Sequence, residues 1–175
     1  MIYKFRITLD VLDDVFRDIA IRKTDSLEDL HNAIIQAFGF DSQELASFYI
    51  SDDEWNQGEE IALENMSDAQ APTKLMYDTY LEDILSEKQT KLIYVYDFLN
   101  MWTFYVELAD ITEPESGRNY PDLLFAQGQL PENPPEKIFK ADMFDQFSDE
   151  LSDEMENDGL DIEDLEDLDF DERWN

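Results

Sequence analysis

The run LIYVYDFLNMWTFYV, residues 92–106, constrains this chain more than any other stretch. Apolar and aromatic side chains alternate on both sides of a short polar step, and a period of two belongs to strands. Two strands are therefore expected, Lys91 to Asp97 and Met101 to Leu108, with Leu99 and Asn100 near the turn between them. Trp102, Phe104, Val106 and Leu108 fall on one face, as in a strand lying on a core. The polar step offers Asp97 and Asn100, with Trp102 beside them, as a candidate polar or interaction site. Acid–base or metal chemistry needs several His, Asp or Glu groups converging on one point. Only Asp97 and the more distant Glu107 stand here, so Asp97 is expected to bond backbone amides at the strand end, as Asp does in turns.

The rest of the chain supplies partners for that hairpin. Residues 2–9 alternate, with Tyr3, Phe5, Ile7 and Leu9 on one face, and Val15 to Ile21 can return antiparallel to them. SLEDLHNAIIQAFG is an amphipathic helix with Ser26 as N-cap, Glu28 and Asp29 in the first turn, and Gly39 as the stop. A third strand is expected over Ala46 to Ser51, a long loop over 52–74, and a short helix in TYLEDILSE with Tyr80, Leu81, Ile84 and Leu85 buried. Five prolines between Pro114 and Pro135 mark an extended covering segment or linker. A hairpin, a packed helix and further strands of one sheet define an α+β domain of β-grasp-like type over 1–140.

Charge sets the chemistry of the surface. Asp and Glu total 44 against 12 Lys and Arg, a formal net charge of -32. Phosphate backbones are bound through clustered Lys and Arg, so direct nucleic-acid binding is not expected. Cysteine is absent, which excludes disulfides and thiolate sites. The opening MIYKFRITLD lacks the continuous apolar core of a signal peptide, and no apolar run reaches the ~18–20 residues that span a bilayer. The expectation is a cytoplasmic protein that does not enter membranes.

Residues 141–175 form an acidic C-terminal tail in which Arg173 is the only basic residue, and they carry roughly half of the net charge. Phe144, Phe147, Leu151 and Met155 keep helical spacing, so 141–157 is expected as an amphipathic helix. In 158–175, Ile162, Leu165, Leu168 and Phe170 are scattered among acids, the composition of a disordered interaction segment. A calcium loop over Glu154 to Leu165 fails, because Asp161 and Leu165 occupy its hydrophobic and bidentate positions.

SLEDLHNAIIQAFGF, ELASFYI and YVYDFLNMW, taken in order, resemble the family named after the third open reading frame of an Agrobacterium Ri plasmid, over about residues 1–140. Some of its members carry transposon-passenger or resolvase-like labels. The resemblance implies a β-grasp-like fold and names no reaction. Its Trp-Arg-Arg element appears here as Phe16, Arg17 and Asp18, its Leu-His as Leu30 and His31, and its next His-Leu as Glu44 and Leu45. Its Tyr-Asp-Phe-Gly-Asp-x-Trp-x-His element runs from Tyr96 to Phe104, with Asn100 for the second aspartate and Phe104 for the histidine. Two histidines and an aspartate of the pattern are thus replaced, which puts chemistry resting on them in doubt.

Arg17 and His31 complete the candidate residues. Arg17 is expected in a structural salt bridge, and His31, the only histidine, as a packed residue beside the helical stripe, since transition-metal sites need several such donors. No catalytic residue, metal ligand or cofactor site is assigned. The expected function is a non-catalytic interaction module for a basic protein partner, with Ile162, Leu165, Leu168 and Phe170 as tail contacts. The alternatives are a family enzyme or recombination accessory, and a nucleic-acid mimic.

Overall fold

A computed structural model describes residues 1–65 and 74–133. The acidic tail, with its expected helix and its four contact residues, lies outside them. The elements in chain order are β1 (Ile2–Leu9), β2 (Phe16–Arg22), α1 (Leu27–Phe38), β3 (Ala46–Ser51), β4 (Gln57–Ala62) and β5 (Lys74–Leu75). After a 3-10 turn at Met76–Asp78 come α2 (Leu81–Ile84), β6 (Lys91–Tyr96), β7 (Trp102–Thr112) and β8 (Asp122–Gln127). All eight strands join one mixed sheet in the order β5-β4-β3-β6-β7-β1-β2-β8, an α+β architecture with one main helix.

Local chemistry sets the elements. Ser26 Oγ accepts from the Asp29 amide at 3.2 Å, and the Asp29 carboxylate accepts from the Ser26 amide at 2.9 Å. This reciprocal box satisfies donors that the first helical turn leaves open. Gly39 ends α1 in the left-handed region (φ 82), where a side chain would be strained. The apolar stripe Leu27, Leu30, Ile34, Ile35 and Phe38 is buried against the sheet. From the sheet side, Phe5, Ile7, Phe48, Tyr94, Phe104 and Val106 complete the core, each almost fully buried.

The β1–β2 hairpin, α1, β3 and the β6–β7 hairpin stand where the sequence pattern places them. Three expectations need correction. The loop expected over 52–74 contains β4, which pairs with β3 through Phe48 and Ile61 and buries Ile61. The segment read as a covering stretch or linker contains β8, which pairs antiparallel with β2 from Phe16–Gln127 to Ala20–Asp122. Both strands are weakly patterned because each is exposed along most of its length. Tyr80, expected inside, is 45% exposed, since its backbone serves as the entry to α2 and bridges Ser26.

Candidate functional site

Arg17 lies on β2, facing the C-terminal end of α1. Its Nε donates to the Ala37 carbonyl at 3.1 Å, and Nη1 donates to the carbonyls of Phe16 at 2.8 Å and Gln127 at 2.9 Å. The guanidinium also sits 4.7 Å from the Phe38 ring centre. The expected carboxylate partner is therefore replaced by carbonyls. The cause is position: α1 has no basic residue in its last turn, and Arg17 brings a cation to that negative dipole end. Burial lowers its pKa from the ordinary value. Arg17 thus ties β2, α1 and β8 together.

His31 is buried beneath α1, and its Nδ1 shares a 2.7 Å hydrogen bond with the Tyr94 hydroxyl. Removal from water lowers the imidazole pKa to about 4 and raises the phenol well above its usual value. Both partners are neutral near pH 7. Tyr94 could not be singled out from the strand pattern, because its neighbours Leu92 and Tyr96 share its face; only the packing of α1 selects it.

Asp97 begins the β6–β7 turn with φ 60 and is buried. Its Oδ1 accepts from the Leu99 amide at 3.1 Å, and its Oδ2 accepts from Asn100 Nδ2 at 2.6 Å. The Asp97 carbonyl accepts from the Met101 amide, closing the turn at Met101 (φ 56). Trp102 packs edge-on to Phe40, ring centres 5.7 Å apart. The carboxylate organises its own turn, and Asn100 is part of the same network. No hydrogen bond among the described residues joins the Arg17, His31 and Asp97 sets. No buried side-chain nitrogen or oxygen among the described residues lacks a partner.

A concave surface lies elsewhere. Asp29, Asn32, Ala33, Gln36 and Ala37 of α1 face Pro121, Asp122 and Leu123 at the start of β8, with Ile19 as floor, across a cleft of about 340 Å³. Asn32 and Gln36 stand four residues apart on the exposed side of the helix, the spacing of one helical face. That polar pair was the only sequence signal for it. Among the described residues no three His, Asp or Glu side chains are grouped as metal ligands.

One mixed sheet covered by one long helix defines an α+β protein, and the comparisons give it a family. The chain belongs to the plasmid pRiA4b ORF-3-like family, whose match spans residues 1–175. That span takes in the acidic segment, which the motif resemblance over about 1–140 left outside. The fold is similar to that of a crystal structure of a protein of unknown function from Methanosarcina mazei Go1. The TM-score is 0.65 and the identity 21%, covering 75% of this chain and 72% of the other. The comparison with curated proteins found no match. No helix among the described residues is long and apolar enough to cross a membrane.

Proposed function

We propose that this protein is a non-catalytic interaction module acting in the cytoplasm, which engages a basic protein partner through its acidic surface and C-terminal tail. The carrying observation is that six of the 12 cations are already engaged within the described residues. Arg6 pairs with Asp18, Lys23 with Glu82, Lys74 with Glu59, Lys91 with Asp53 and Glu107, and Arg118 with Glu115 and Asp122. Arg17 is bound to carbonyls. With 44 Asp and Glu against 12 Lys and Arg, most carboxylates have no cation to match them, and such a field captures positive surfaces. The engagement of His31 and Asp97 in structural hydrogen bonds also favours this reading over an enzyme or recombination accessory. The hairpin–helix–strand order supports a β-grasp-like relationship, with β7 beside β1 but running antiparallel to it.

The test is binding of full-length protein to a small basic protein such as a histone, followed by anisotropy as salt rises. Affinity should fall steeply as the Debye length contracts from about 30 Å at 0.01 M to about 8 Å at 0.15 M. Duplex DNA should not bind. Tight DNA binding near physiological salt would overturn the proposal, and displacement of DNA from a DNA-binding partner would favour a nucleic-acid mimic instead.

A further inference from the structure

The sheet ends on one side at β8, and that end is unusual in what it exposes. Its inner edge pairs with β2, while its outer edge has no strand beside it among the described residues. Its six residues carry a bulge where Leu124 falls between the Asp18–Phe125 and Ile19–Leu123 pairs, which turns Leu123 and Phe125 to opposite faces and leaves outer backbone groups open on either side of it. Protein edges are ordinarily blunted by charge or cover, because a bare edge pairs with any extended chain. Here Leu123 is 47% exposed and Phe125 51% exposed. Leu123 lies against the cleft beneath α1, whereas Phe125 stacks on Phe16 with ring centres 5.8 Å apart. An added strand would meet an apolar contact on each of its faces.

We propose that the outer edge of β8, with the cleft it shares with α1, receives an extended segment of a cationic partner protein by strand addition. The inference rests on the interaction-module reading and specifies where the partner docks. Charge selects the occupant. A second copy of the chain would set one body of charge -32 against another, and residues 141–175, with one arginine among many acids, would also meet like charge. The cleft suits lysine or arginine side chains. Asp122 is held by Arg118 at 2.9 Å, but the hydrogen bonds of Asp29 use only its Oδ2, and the Asn32 and Gln36 amides have no partner among the described residues. Nearby Asp25 has its pKa raised by burial and then by Asp29, against the opposing effect of Arg22. A cation beside Asp29 relieves that repulsion. Main-chain pairing supplies affinity and alternate side chains supply selectivity, as in other strand-addition complexes.

The experiment uses the full chain and a short fluorescent peptide of alternating lysine and valine, with a lysine–proline peptide of equal charge as control. The lysine–valine peptide should bind, and should shift the amide resonances of residues 122–127 and of Asn32 and Gln36. The control should bind about tenfold more weakly, because proline lacks the pairing N–H. Leu123→Lys combined with Phe125→Lys should reduce binding by a similar factor with an unchanged melting temperature. If the double variant melts early, Phe125→Lys alone, at an exposed site, serves. Equal binding of both peptides, or binding unaffected by the substitutions, overturns strand addition while leaving the acidic-surface proposal intact. Absence of lysine–valine binding overturns it as well, and only failure with the basic protein reaches the broader proposal. Dimerisation abolished by the same variants, or outer β8 amides already protected from exchange in the free protein, also overturns it.

Discussion

The two faces of the sheet handle polar groups in opposite ways. Beneath α1, His31 and Tyr94 are buried, neutral and bonded to each other. On the other face, Lys91, Glu107, Arg6 and Asp18 line up across β6, β7, β1 and β2 as alternating charges. Arg6 meets Asp18 through two 2.9 Å bonds and lies 4.2 Å from the Phe16 ring centre, while Lys91 stands 3.7 Å from Glu107. The difference follows from water. Burying an ion often costs more than its pairing returns, and His31 and Tyr94 on the covered face stay uncharged. Among the described residues the one cation buried against α1, Arg17, is held by backbone carbonyls at the helix end, whereas the open face can hold ions because solvent shares their charge, and for the same reason each pair adds little.

The largest effect expected from breaking this comparison is Phe104→Ala on the covered face. Phe104 lies 4.7 Å from Phe38 and 5.7 Å from Tyr94 between ring centres. The lost contacts and the cavity should cost about 3–5 kcal/mol, measured by urea unfolding. A loss under 1 kcal/mol would show that this face is not the close-packed one.

Next in size is the response of His31 to acid. An unfolded imidazole takes its proton near pH 6.5 and the folded one only near 4, so the unfolded state binds more protons between these values. The His31 contribution to stability should therefore fall as pH drops from about 6.5 to about 4 and level off below, with a total on the order of 3 kcal/mol. His31→Gln, which cannot protonate, should flatten that part of the profile. An unchanged slope in the variant would place the acid sensitivity elsewhere.

The smallest effect belongs to the open face. Arg6 is about half exposed, and Arg6→Met should change stability by no more than about 1 kcal/mol. Raising salt should shrink even that difference. A salt-independent loss above 2 kcal/mol would mean that the charged row behaves as a buried network.

Much of the fold was legible because its signals are local. The period of two in β1, β6 and β7 follows from alternating exposure, and the Ser26 box and Gly39 stop are contained within α1 and its caps. The same holds for the Asp97 carboxylate, whose bonds reach only to Leu99 and Asn100. β4 and β8 were missed because each leaves most of its side chains exposed and so carries little alternation to read.

By itself, then, the sequence determined which segments bury a face, where the main helix begins and ends, and the strongly negative surface. It did so because alternation, capping and charge depend on neighbouring residues and on composition. The tertiary structure alone decided that Arg17 would bind carbonyls as distant as Gln127, that His31 would find Tyr94 and that β8 would extend the sheet beside β2. These choices join residues far apart in the chain. They are made by the common requirement that buried donors, acceptors and ring faces be satisfied together, which no local pattern specifies.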